Sequence, residues 1–305
     1  MTQTYSQIHS TSHSPPVVEG YAPQNDTMLI RVGSEFAYSS RGETPALLQV
    51  ESRQDTDAKI VREILTTTPQ VPTHTYLDLY DNRNRRLILP NGQSTFRYDA
   101  LVEISSYPDI QMPNLTQALV QDLPDETLHF TLASRYCQSD LISDDAWKLF
   151  ADAPLGWGRV QAVCDWAHDN VAYVSGCSTP ETTAMDVYNL RQGICRDFAH
   201  IGVTLCRALN ISARYCFGYM PDIGVIVPPV AMDFHAWFEV FLEGRWYAFD
   251  ARHNKPRIGR VPIARGRDAV DCAMVTTYGN CTLERMTVWA DEATPEDLAH
   301  FEYSK

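Results

Sequence analysis

The stretch that most restricts what this chain can fold into runs from Asp233 to Asp250. It reads Asp233-Phe234-His235-Ala236-Trp237-Phe238-Glu239-Val240-Phe241-Leu242, then Glu243-Gly244, then Arg245-Trp246-Tyr247-Ala248-Phe249-Asp250. Both flanks are rich in aromatic and β-branched residues, and the acidic-Gly pair between them is a two-residue hairpin signal. With that turn, Leu242 pairs with Arg245 and Trp237 lies opposite Asp250. Side chains alternate with period two, so His235, Trp237, Glu239 and Phe241 share a face with Trp246, Ala248 and Asp250. His235 and Asp250 become diagonal neighbours, roughly 7–8 Å apart at the backbone and within reach of a histidine–carboxylate hydrogen bond. A three-residue loop would break this parity.

A nucleophile that such a pair could serve lies upstream, in Arg191-Gln192-Gly193-Ile194-Cys195-Arg196-Asp197-Phe198-Ala199-His200. Cys195 opens a run in which Phe198, Ile201, Leu205 and Leu209 form one apolar stripe, with Arg196, His200, Thr204 and Arg207 off it. Cys195 is therefore expected in the first turn of a buried helix. Unpaired N–H groups and the helix dipole there favour thiolate, pulling the pKa below the ordinary value of about 8.5. The rival reading is a buried structural thiol, as expected for Cys206 deeper in the same helix. A histidine and an aspartate aligned on one hairpin face weigh against that rival. His200, five positions from Cys195, points elsewhere, while Asp197 and His253 read as supporting or surface groups. Trp237 and Trp246 read as core or pocket wall. A thiol, an imidazole and a carboxylate also suit zinc, but neither an HExxH motif nor paired cysteines support a metal site. With no EF-hand or Walker loop either, no cofactor is expected.

Gly-Ile-Cys-Arg-Asp-Phe-Ala-His, Asp-Phe-His-Ala-Trp-Phe-Glu-Val and Trp-Tyr-Ala-Phe-Asp-Ala-Arg-His-Asn together resemble the transglutaminase-like superfamily. More narrowly, they resemble its bacterial cysteine peptidases. The likeness covers about Trp157 to Gly279, and the preceding segment is similar to the β-rich N-terminal domain of those proteins. The resemblance implies Cys195 as nucleophile, His235 as base and Asp250 as the residue that orients it. It implies acyl transfer on peptide or glutamine amides through a thioester, with hydrolysis favoured. The alternatives are a true transglutaminase or a deamidase, or a non-catalytic binding module on the same fold. The block Arg257-Ile258-Gly259-Arg260 through Ala264-Arg265-Gly266-Arg267-Asp268 also resembles the family, without an assigned chemical role.

The remaining chain sets the frame. With 305 residues it can hold two modest domains. Residues 1–27, rich in Ser, Thr, Gln and Pro, read as a disordered tail. Residues 28–134 read as an antiparallel β-sandwich, from short segments at Leu29–Val32, Ala46–Val50, Thr73–Tyr80, Arg86–Leu89, Ser94–Val102 and Glu126–Phe130. Residues 135–305 read as the catalytic core with a C-terminal extension. Its helices are expected at Asp144–Ala151, Gly156–Asn170, Thr183–Leu190 and Cys195–Leu209, the last closed by Asn210, with a strand at Ala213–Tyr219. The fold class is α+β; the papain-like arrangement of helices on an antiparallel sheet comes from the resemblance, not from the hydrophobic pattern. A net charge of -13 and a pI near 5.1 argue against a nucleic-acid partner. No run reaches the roughly 18–20 apolar residues that span a bilayer. Eight scattered cysteines without a CxxC pair suit a reducing cytoplasm. The expected partner is a protein or peptide substrate.

Overall fold

The computed structural model describes residues 25–54, 58–226 and 230–303. Residues 1–24 of the expected tail lie outside them, and Thr27 already belongs to the first strand. Six strands come first: β1 (Thr27–Ser40), β2 (Thr44–Leu48), β3 (Ala58–Thr68), β4 (Thr73–Leu77), β5 (Arg83–Leu89) and β6 (Gly92–Ser105). Helices α1 (Asp125–Leu128), α2 (Ser143–Phe150) and α3 (Trp157–Asn170) follow, then β7 (Ala172–Tyr173), α4 (Ala184–Leu190), β8 (Gln192–Gly193) and α5 (Cys195–Ala208). The chain continues with β9 (Ala213–Tyr219), β10 (His235–Leu242), β11 (Arg245–Phe249) and β12 (Val261–Gly266). It closes with β13 (Val275–Thr277), β14 (Cys281–Glu292) and α6 (Pro295–Tyr303).

The result is α+β, as expected. Three antiparallel sheets run in the orders β14-β1-β6-β3, β13-β2-β5-β4 and β11-β10-β9-β12, and β7 pairs with β8 in parallel. The first two sheets are β-rich N-terminal structure, but each takes its outer strand from the far end of the chain. β14 runs along β1 from Ile30↔Glu292 to Ser40↔Cys281, and β13 lies beside β2. Residues 275–292, read from sequence as part of the catalytic half, thus pair with strands of the first hundred residues. Partners some 250 positions apart leave no local signature. The segment Glu126–Phe130, expected as a strand, is instead a helical turn. Its alternating Leu128 and Phe130 mimic a strand, yet Pro124 is preset for the residue just ahead of a helix and starts one.

The third sheet carries the site. β10 is its most protected strand, with all eight residues buried, because β9 and β11 flank it and both faces are covered. The hairpin follows the predicted parity: Glu243 and Gly244 take φ of 44° and 85°, Leu242 pairs with Arg245, and Phe238 with Phe249. Helix α5 lies on the face that holds Phe238. A Cβ on Gly202 would come within 2.5 Å of the Phe238 ring, so glycine is what lets helix and sheet approach this closely. The supposedly polar side of α5 is buried as well, since every residue from Asp197 to Ala208 is enclosed. Several of its polar groups are paired internally, while His200 Nδ1 has no hydrogen-bond partner among the described residues. Thr204 donates to the His200 carbonyl at 2.7 Å, and Arg207 donates to the carbonyls of Ala213, Leu132 and Arg267 at 3.0, 3.0 and 2.7 Å. Asn210, with φ of 60°, ends the helix as its residue type suggests.

Candidate active site

Cys195 is the first residue of α5 and is half-buried. The turn before it is held by Asp197, whose carboxylate is fully buried. That carboxylate accepts the Ile194 N–H at 2.9 Å, the Ser178 hydroxyl, and the Arg196 guanidinium at 3.0 and 3.1 Å. A carboxylate reaching back from the third helical position to the capping N–H is one half of a capping box. Asp197 is therefore a clamp on the nucleophile's turn and not a surface group. Gly193 fits the same knot, because a Cβ there would stand 2.8 Å from that of Asp197.

The sulfur faces the start of β10. The backbone N–H groups of Ala236 and Arg196 both act on it, which puts Cys195 against the strand position next to His235. The thiol does not behave as the helix terminus alone predicts. Burial pushes its pKa up, and Arg252 together with those two N–H groups pulls it down without overcoming burial. The expectation of a depressed pKa is thus reversed: burial outweighs Arg252 and the two N–H groups in the resting site.

His235 and Asp250 meet as the hairpin parity requires. His235 Nε2 donates to Asp250 Oδ2 at 2.7 Å, and both side chains are buried. Burial drives the imidazole down to about 3, against the pull of Asp250, so the ring is neutral near pH 7. Its single proton sits on Nε2, facing the carboxylate. Nδ1 is left with a lone pair able to accept a proton. Asp250 is held in the opposite sense. Burial alone would raise it, but His235 and His253 keep it well below the usual carboxylate range.

Asp250 has more partners than the hairpin reveals. The N–H groups of Arg252 and His253 donate to Oδ1, each at 3.1 Å. His253 Nδ1 and Arg260 Nη2 donate to Oδ2 at 3.2 and 3.1 Å. The His253 ring stacks on His235 with centroids 4.7 Å apart. Arg260 also reaches Asp109 at 2.9 and 3.0 Å and lies over the Trp237 ring at 5.1 Å. His253 carried a usable signal, a second histidine three residues beyond Asp250. Asp109, 141 positions away, carried none.

The block from Arg257 to Asp268 now has visible work. Besides Arg260, Arg257 pairs with Asp222 at 2.9 Å and Arg265 with Glu239 at 2.8 Å. Asp268 accepts the Tyr136 N–H at 2.9 Å. His200 has partners of its own. Its Nε2 accepts the Ala269 N–H at 3.1 Å, and its ring stacks on Tyr136 with centroids 5.1 Å apart. Trp246 packs edge-on against Phe130, under the Arg214 guanidinium. Among the described residues, the ligand-type atoms of His235, Asp250 and His253 lie within 4.8 Å of one another. A cation there would sit beside the Arg260 guanidinium, which already occupies the carboxylate.

Residues 149–251, which contain all three of these positions, match the family model described as the transglutaminase-like superfamily. A crystal structure from Cytophaga hutchinsonii, described as a "putative cysteine protease", superposes with a TM-score of 0.79. It is 32% identical and covers 88% of this chain, and this chain covers 92% of it. The chain belongs to the transglutaminase-like superfamily. Two further relatives are described as uncharacterized proteins. One from Mycobacterium leprae is 24% identical over 230 residues, spanning 72% of this chain and 81% of that protein. One from Mycobacterium tuberculosis is 30% identical over 117 residues, spanning 34% of this chain and 36% of that protein. No helix among the described residues is long and apolar enough to cross a membrane.

Proposed function

We propose that this transglutaminase-like chain is a cysteine hydrolase acting on peptide or glutamine amides through a thioester. Cys195 is the nucleophile, His235 the general base and Asp250 the group that orients and charge-balances the imidazole. The observation that carries this reading is the buried 2.7 Å contact from His235 Nε2 to Asp250, beside the Ala236 N–H that acts on the Cys195 sulfur. A raised thiol and a depressed imidazole favour a neutral resting pair. The proton then passes from sulfur to Nδ1 as the sulfur attacks the amide carbonyl. The backbone N–H at the first turn of α5 is the oxyanion donor we assign. His235 next protonates the departing amine, and water releases the acyl group as a carboxylic acid.

The substrate is a protein or peptide, and the compartment a reducing one such as the cytoplasm, supported by eight free cysteines. Labelling with an iodoacetamide probe at neutral pH tests the first step. Selective labelling that disappears in Cys195→Ala supports the enzyme, whereas equal labelling of both proteins defeats it. Incubation with a glutamine-containing peptide and a primary amine then separates outcomes: free carboxylate products support hydrolysis, and amine incorporation replaces it with transglutamination.

A further inference from the structure

Asp109 lies on the stretch that leaves β6, where the usual hydrophobic order is inverted. Its neighbours Tyr107 and Ile110 are exposed, whereas the charged Asp109 side chain is only 14% exposed. A carboxylate withdrawn from water is costly unless donors are waiting for it. Here they come from the segment just ahead of β12. Arg260 Nε donates to both Asp109 oxygens, at 3.0 and 2.9 Å, and the Arg257 N–H donates to Oδ2 at 2.8 Å. The Asp109 N–H returns a bond to the Arg257 carbonyl at 2.9 Å, so backbone and side chain latch together. Burial pushes the Asp109 carboxyl up, and Arg260 and the Arg257 N–H oppose it.

Arg260 is the link to the site. Its Nη2 donates to Asp250 Oδ2 at 3.1 Å, on the same oxygen that accepts from His235. Charges therefore alternate along one row: Asp109, Arg260, Asp250 and the imidazolium that forms at His235 during attack. A guanidinium without a counter-ion of its own would cancel much of the Asp250 charge, leaving less to stabilise that imidazolium. Asp109 is that counter-ion. Both Asp109 and Arg260 lie outside residues 149–251, so the family match assigns neither of them a role. We infer that Asp109 is a positioning residue for the reaction. It holds Arg260 by Nε and balances its charge, so that Asp250 keeps its hold on His235, and the stretch after β6 thereby completes the site. The inference rests on the Cys195–His235–Asp250 reading.

The test is iodoacetamide alkylation of Cys195 in the full chain, read by mass spectrometry of the Cys195 peptide. Asp109→Asn should alkylate about 5–30-fold more slowly than wild type at pH 7, because the charge lost acts from one ion pair further away than Asp250. The acid limb of its pH profile should move to lower pH, against the upward move expected of Arg260→Gln; mere damage to the fold would not give opposite signs. The other charged or titratable groups acting on His235, namely Asp250, His253 and Arg252, stay in place, as does Cys195. Added to Arg260→Gln, the Asp109→Asn change should slow alkylation by less than about threefold, since the charge it balances is gone. A folded Asp109→Asn that alkylates within about twofold of wild type overturns the inference. So does a double variant more than about tenfold slower than Arg260→Gln, a comparison that stands even if Asp109→Asn alone fails to fold. A wild-type Cys195 that alkylates no faster than an ordinary thiol sinks the triad and this inference with it, whereas a fast wild type beside an unchanged Asp109→Asn sinks this inference alone.

Discussion

Asp250→Asn isolates the electrostatic part of the proposed triad. Five donors converge on the wild-type carboxylate: two backbone N–H groups on Oδ1, and His235, His253 and Arg260 on Oδ2. An amide places an NH₂ against one of these groups however it is turned. Facing His235, it would donate to Nε2, moving the ring proton to Nδ1 and removing the lone pair that the proposed mechanism assigns as the proton acceptor. The lost charge has a calculable effect on the imidazolium formed during attack. Two unit charges about 4 Å apart at an effective dielectric constant near 20 interact by about 4 kcal/mol. At about 1.4 kcal/mol per decade, that is about 10³ in rate. Iodoacetamide alkylation of Cys195 at pH 7, followed by mass spectrometry of the Cys195 peptide, reads this without a known substrate. The variant should alkylate about 10³-fold more slowly, approaching an ordinary thiol, with circular dichroism confirming the fold. A folded Asp250→Asn that alkylates within tenfold of wild type would refute the reasoning.

Three further outcomes are expected. Arg260→Gln removes a positive charge near His235, so the imidazolium becomes easier to form and the acid limb of the alkylation–pH profile moves to higher pH; an unmoved limb would deny Arg260 any electrostatic role. Glu239 is held at about 2, where Arg265 and Arg214 more than offset burial, and Glu239→Gln strips two half-buried guanidinium groups of their shared partner. The loss should be about 1–3 kcal/mol by urea unfolding, and no measurable loss would contradict it. His200, His235 and His253 are all depressed below the ordinary 6.5, chiefly by burial. Below about pH 6.5 the unfolded chain takes up protons that the folded one refuses, so stability falls as pH drops. The slope should reach about 1.4 kcal/mol per pH unit from His235 alone, which contributes down to about pH 3, with His200 and His253 acting in the same direction. A Tm unchanged between pH 7.5 and 5 would contradict this.

Local chemistry explains which parts were legible in the sequence. The His235–Asp250 contact could be read because side-chain parity across a two-residue turn leaves little freedom, and Glu243-Gly244 fixed that turn. Helices α2 to α5 could be read from their spacing and caps; Thr183 with Asp186, for example, forms a capping box ahead of α4. Strand β3 escaped notice because it is a sheet edge whose residues are mostly exposed, blurring the alternation. The Cys195 pKa was misjudged because the sequence displays a helix terminus but not how deeply it is enclosed. The Arg260 link to Asp109 depends on tertiary packing across 151 positions, which no local pattern encodes.

Strand β1 flanks β14, which is made about 250 residues later. At synthesis rates of about 5–20 residues per second, β1 waits about 12–50 s for that neighbour. During that interval a fourteen-residue ribbon offers an open edge to any passing strand, a known route to aggregation. Ribosome stalling or a stop codon just before Cys281 would therefore release a chain whose Cys195 segment is complete but whose first sheet stays unclosed.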